Sequence, residues 1–568
     1  MRHVEQPPGG TGGRVHSHAE LLPWSRRTEN RARGLARKHH PGQVPPVMTC
    51  RFLAALLAGA LLPCPVAAQF LPLTVPRGHV GMELHTGFTS WDQRFRNGTS
   101  EPAGTDLSRI GIGGDWLPAL SSADLRLARL TGLTGENLNA GSYGVAQLTT
   151  LGELGLGLQV GLTSRLTISG LVPLRQVRVQ SVTGYDSTGA NSGLNPADPG
   201  LGSPAGLSST LAFFLEFDAA IAGIENRLAS GTWSGSPVTE ALAMGTLTDA
   251  RLMREDLYAL LVAAEIRSPF IPLSGSAVGA ALLSRIGELQ GRIGTGLGIS
   301  GFSRQPALPT AAPTSEDWTR YLTNGDGPVA GSLLAPTYMA LGDIELGASY
   351  LLVDRFGPTV SGTQIRAAIK GTVRLRTSQL DDPNRFLDLG TGDRQPDAEV
   401  TLVTDLAKGR AALRLAGWYT RQLAGNQQRR IGPPDRPIQD LATLAALRKD
   451  PGDIVGVGVF PGYRLTPTLA LVAGAEWWTR GDDNYAYADG QPALEGLDPQ
   501  TLAIESAASA VTVRAGLTFF HPGDRTVGGS GAPLAASVTW ERVVAASGGR
   551  VPKAESVRAT LRIYSRFW

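Results

Sequence analysis

Three runs of charged residues could do electrostatic work. Arg366, Lys370, Arg374 and Arg376 recur at even spacing, Glu399, Asp405, Arg410 and Arg414 follow, and Arg558, Arg562 and Arg566 end the chain. Even spacing puts side chains on one face of an extended strand. The positions between them are largely apolar, as at Ile365, Ile369 and Val373. If such strands stand in a membrane, charges on the lipid side are expensive, so the charged rows must face an interior lumen. A basic row beside an acidic one would set a transverse field that orients a permeating molecule. The plainer alternative is that opposite charges pair across strands and brace the wall. Arg376, at the end of its run, could stand above the membrane instead.

Other chemistry finds less support. Beyond residue 68 the histidines are His79, His85 and His521. His85 shares a strand face with Glu83, but Thr86 and Ser90 are out of line with it, so no nucleophile is aligned with this base and no enzyme is expected. Asp381, Asp382, Asp388 and Asp393 crowd one segment with Gly390 and Gly392. Calcium uses such oxygen ligands, yet solvated turns have the same composition, so no metal is expected. There is no Cys/His grouping for zinc and no phosphate-cradling glycine loop, so no cofactor is expected. Trp477-Trp478, Trp418-Tyr419, Tyr463, Tyr564 and Phe519-Phe520 lie near strand ends and fit interfacial aromatic girdles. Trp478, inward by alternation, is the candidate for stacking an aromatic ligand.

The elements that must position these residues read as strands. From Val80 onward, stretches of about ten residues alternate apolar and polar between turn residues, the pattern of strands with one face on lipid and one on a polar lumen. Val80, Met82, Leu84, Thr86 and Phe88 make the first; Leu154, Leu156, Leu158, Val160 and Leu162 a second; Leu166, Ile168, Gly170, Val172 and Leu174 a third. The pattern resumes at 344–352 and 365–375, then at 398–406, 411–419, 455–459, 469–477, 511–519 and 534–540. The last strand runs through Val557, Ala559, Leu561, Ile563 and Phe567, with Trp568 one residue beyond. Short links alternate with long ones, as periplasmic turns alternate with external loops, and that alternation gives an all-β antiparallel transmembrane β-barrel of 12 strands. Segment 103–135 could hide another hairpin and raise the count to 14.

The ends and the middle of the chain differ from the strands. Residues 1–47 read as a misassigned upstream leader without apolar period. Residues 48–68 carry Arg51, the apolar run 52–62 and small residues before Gln69, a signal peptide cleaved after Ala68. Cys50 and Cys64 both fall inside it. Residues 1–68 hold nine of the 52 basic and three of the 49 acidic residues, so the remainder carries net charge −3 and no nucleic-acid partner is implied. Residues 69–182 supply the first barrel strands and 337–568 the rest. Between them, 183–336 shows helical spacing three times, at Leu211 to Leu228, Leu242 to Leu261 and Val278 to Ile293. That insertion is either a self-packed extracellular cap or a gate that captures ligand.

Several stretches resemble the outer-membrane transporters of phenol-degradation and, distantly, long-chain fatty-acid pathways. They are LQVGLTSRLT at 158–167 with Val172-Pro173, LGDIELGASY at 341–350, VRLRT at 373–377 and DDPNRFLDLGTGD at 381–393. The likeness covers roughly 140–182 and 337–480. It implies passive uptake of a small hydrophobic or aromatic molecule across a bacterial outer membrane. The fatty-acid transporters carry an N-terminal hatch; here 69–77 are too few residues to plug a lumen. The partners implied are outer-membrane lipid, the barrel-assembly machinery acting on the C-terminal strand, and a small-molecule permeant. The competing reading is a barrel without transport whose helical insertion binds a partner.

Overall fold

In this computed structural model, residues 72–264, 266–325, 327–356, 362–521 and 533–567 are described. The leader, the signal peptide with its cleavage point, and Trp568 lie outside them. Apolar–polar alternation becomes strand structure wherever it was read. The barrel strands are β1 (His79–Trp91), β2 (Ser142–Gly161), β3 (Leu166–Asp186), β4 (Thr337–Leu341 and Glu345–Arg355), β5 (Gln364–Arg374) and β6 (Asp397–Lys408). They continue as β7 (Ala411–Gln422), β8 (Ile454–Arg464), β9 (Leu469–Arg480), β10 (Ala508–His521), β11 (Leu534–Gly548) and β12 (Glu555–Arg566). Each pairs antiparallel with its neighbours in chain order, and β1 closes the ring on β12 from His79↔Arg566 to Ser90↔Glu555. The result is a closed 12-stranded barrel.

Its register puts Met82, Leu84, Leu156, Leu158, Val457 and Leu517 on the outside, all exposed. A continuous apolar belt around a closed ring is an aggregation surface in water and the required surface in hydrocarbon. The protein is therefore a bacterial outer-membrane barrel. Two of the short turns use one device. Thr163 Oγ1 accepts the Arg165 and Leu166 N–H groups, and Thr466 Oγ1 accepts those of Thr468 and Leu469. Strand β1 starts and β12 ends on the side of these short turns, the side that outer-membrane barrels turn to the periplasm.

The strand β4 is interrupted at 342–344, yet the wall is stitched there. Gly342 N–H donates to Pro173 O, and the Asp343 carboxylate accepts N–H from Thr377 and Ser378. Strands β2 and β3 run to 20 and 21 residues, about twice what crosses a bilayer. In their outer halves the inward residues Tyr143, Val145, Val177 and Val179 are apolar, because they meet a helical cap rather than a wet lumen.

That cap holds the three expected helices, α2 (Pro204–Ala229), α3 (Pro237–Leu261) and α4 (Ala277–Gly291). It also holds two the periodicity did not reveal, α1 (Pro118–Thr131) and α5 (Ser315–Thr323). Helix α1 occupies the segment where a thirteenth and fourteenth strand were conceivable. Helix α5 is started by a capping box, Thr314 with Asp317, and carries Trp318 into the centre of the core among Trp116, Tyr143, Tyr185, Phe270 and Tyr321. Helix α2 is long and apolar enough to cross a membrane, but it is tied into the cap by Glu216–Arg304, Asp218–Arg254 and Glu225–Arg251 ion pairs. The long connection at 421–453 carries strands of its own. Strands Gly425–Arg430 and Leu444–Asp450 form a hairpin there, joined by Asn484–Tyr487 from the next external loop.

Candidate functional site: the lumen

The register puts Arg366, Lys370, Arg374, Glu399, Asp405, Arg414, Trp478, Arg558, Arg562 and Arg566 on the face opposite the apolar belt, whereas Arg410 falls in the turn between β6 and β7. Most of them meet a partner on the neighbouring strand. At the periplasmic end of β5–β7, Asp405 is fully buried between Arg366 at 2.9 Å and Arg414 at 2.7 Å. At the opposite end of the same strands, Arg374 reaches Glu345 at 3.1 Å and Glu399 at 2.9 Å, with Asp397 3.8 Å away. On the far wall, Arg562 donates to Glu83 at 2.8 Å, and Gln159 donates to the same carboxylate. Arg558 stands 3.7 Å from Glu541 and is more than half exposed to the lumen. Arg566 ends the same row opposite His79. Arg376 lies beyond the end of β5 and donates to Ala424 O in an external loop.

Several lumen residues escaped the sequence reading. Glu153 takes the His85 ring at 2.6 Å and Arg175 at 3.1 Å, and Arg175 in turn donates to Thr391 O of an infolded loop. The His85 ring lies over Gly155, where any side chain would collide with it. So His85 is held by a carboxylate rather than set against a hydroxyl; Thr86, its neighbour, faces lipid. Arg514 joins Glu541 at 2.8 Å to Glu476 at 3.5 Å. Even-spacing parity within β2, β3, β9, β10 and β11 was the available signal for all of these.

The acidic loop 381–393 does not gather its carboxylates. Asp381 pairs with Arg429, Asp388 accepts the Tyr338 hydroxyl at 2.8 Å, and Asp393 accepts the Gln395 N–H. Among the described residues no three metal-ligating side chains converge.

Two aromatic assignments need correction. Trp478 faces the lumen as expected, but so does Trp418: both stand opposite Gly456 in register, and Trp418 covers that glycine. Its neighbour Tyr419 is the residue that faces lipid. Tyr564 also points inward, buried in the periplasmic mouth with Ala535 and Val75, and Phe520 packs against them. Alternation permits one of two adjacent aromatics on lipid, never both. Residues 72–76 lie at the mouth without plugging the lumen. The Val75 N–H donates to Thr167 Oγ1 at 2.9 Å, and Pro72 O accepts from Arg562. Val75 there packs with Ala535, Tyr564 and Phe520.

The space left inside is divided. A cavity of about 370 Å³ lies at the external rim against Trp478, Arg480, Ile504 and Arg550. One of about 380 Å³ follows in mid-lumen, bounded by His85, Glu153, Arg175, Glu476, Glu541 and Arg558. One of about 130 Å³ lies nearer the periplasm, against Glu83, Gln159, Ser169, Lys370, Thr372 and Arg562.

No protein-family model and no curated protein matches the sequence. Among solved structures, an outer membrane channel from Pseudomonas putida F1 is similar at 11% identity and TM-score 0.35, over 89% of this chain and 99% of that one. The Pseudomonas putida toluene transporter TodX matches at 10% identity and TM-score 0.23, over 87% and 90%. A FadL homologue from Pseudomonas aeruginosa matches at 7% identity and TM-score 0.25, over 86% and 90%.

Proposed function

We propose that this barrel is a passive channel for small hydrophobic or aromatic molecules. The observation that carries the reading is the succession of three cavities along one closed lumen, stepping from Trp478 on β9 to Glu476 and from His85 on β1 to Glu83. Most charges along that path are spent on each other, so a permeant meets a shaped, largely neutralised passage rather than a strong single-signed field. Trp418 and Trp478 offer aromatic faces at its outer end, where a planar solute would lose water first. Such a channel works by lowering the barrier of a lipopolysaccharide-bearing membrane, with no chemistry on the solute. The test is influx of a chromogenic nitrophenyl ester into porin-deficient Gram-negative cells, read by a periplasmic esterase. Expression of the folded barrel is expected to raise influx several-fold; influx equal to that of cells lacking it would overturn the proposal.

A further inference from the structure

Strand β5 presents Arg366, Lys370 and Arg374 on one face. The two arginines are engaged by carboxylates, whereas the Lys370 ammonium has no hydrogen-bond or ion-pair partner among the described residues. It borders the 130 Å³ cavity. The two acids on that cavity are committed elsewhere, Glu83 to Arg562 and Gln159, Glu345 to Arg374. A second observation points the same way. Thr372 is 4% exposed, lines the cavity, and its hydroxyl is buried without a partner. Ser169 stands across the space. A Cβ placed on Gly347 would come within 2.8 Å of Ser169 Oγ and 3.4 Å of Lys370 Cε, so the bare glycine keeps the gap between them open.

An uncommitted cation and a buried hydroxyl donor without an acceptor are costly unless something supplies acceptors. We infer that Lys370, Thr372 and Ser169 form a carboxylate-binding subsite in the periplasmic half of the lumen, filled by the acid group of a small aromatic permeant. A carboxylate is acceptor-only with about four lone-pair sites, which matches an ammonium and two hydroxyl-bearing side chains bordering one cavity. The small cavity takes the head group. The ring extends into the 380 Å³ space, one inward-facing position away on β1. This deepens the channel reading and rests on it: the favoured permeants are aromatic acids rather than neutral hydrocarbons.

The test is calorimetric titration of the purified barrel with benzoate and with uncharged benzamide. Benzoate is expected to bind, and Lys370→Met to weaken it by about tenfold or more, the usual scale for a hydrogen bond to a charged group. Thr372→Val should weaken it less, and Lys408→Met, at the barrel end, should leave it unchanged. Heat-dependent gel mobility shows that each variant is folded. Equal binding of benzamide, or wild-type benzoate affinity in Lys370→Met, would overturn the subsite. Inorganic phosphate displacing benzoate at matched concentration would assign the site to free anions and overturn the permeant. Benzoate binding without ester influx in cells would instead remove the channel reading and leave the subsite standing.

Discussion

Arg366 and Lys370 stand four residues apart on one face of one strand, and their surroundings are opposite. Arg366 shares a fully buried carboxylate with Arg414; Lys370 borders an open gap with no ion-pair partner among the described residues. The first arrangement is a brace. Taking charges out of water is costly, and two guanidiniums closing on Asp405 recover that cost only while all three remain. The second arrangement leaves binding capacity in place. Strand periodicity tells which side a residue faces, whereas what it meets there is set by the register of neighbouring strands.

The difference is open to attack from both sides. Asp405→Ala would leave Arg366 and Arg414 buried against each other, so a loss of about 3–5 kcal/mol in denaturant unfolding, or failure to fold, is expected. A loss under about 1 kcal/mol would mean the brace is no brace. Gly347→Ala attacks the other region by filling the gap between Ser169 and Lys370. Benzoate affinity should fall several-fold while the unfolding midpoint moves little, and unchanged affinity would place the ligand elsewhere.

The smallest effect belongs to the wet rim. Glu505 meets Arg96 at 3.0 Å and Arg550 at 2.7 Å. Partial burial works against its charge, but hydrogen bonds from Arg96 and Asn97 and the charges of Arg96 and Arg550 hold the carboxyl below its usual range. A depressed carboxylate stabilises the fold above its unfolded pKa and stops doing so as pH falls through the lower, folded value. Glu505→Gln should therefore lower the melting temperature slightly at pH 7, and the deficit should begin to shrink as pH falls below about 4 and be gone once pH is below the folded value. A deficit that does not shrink at all on acidification would assign the effect to shape rather than charge.

Much of the barrel was legible because strand alternation is local. Met82 and Leu84 against Glu83 and His85 declare both faces of β1 without reference to anything distant. Arg374, Glu399 and Arg562 share the face opposite the apolar belt for the same reason. Where a second body covers the strand, the signal fails. Inward Val177 and Val179 break the alternation under the cap, so β3 read about half its true length. Helix α1 was hidden because its buried Leu120, Ala123, Leu127 and Leu130 face other cap helices in a short, Ser- and Arg-containing run. Trp418 and Tyr564 were misplaced by a composition habit, aromatic near a strand end, that their own parity contradicts.

By itself the sequence determined the class of structure, the facing of most strand residues and the site of the helical insertion. Each follows from periods of two or 3.6 residues that adjacent side chains enforce. Only the tertiary structure decided which charges cancel, that residues 72–76 pack at the mouth, and that Lys370 alone among the three β5 cations has no ion-pair partner among the described residues. Those outcomes depend on inter-strand stagger and on contacts between residues hundreds of positions apart, such as Glu83 with Arg562, and no local pattern encodes them.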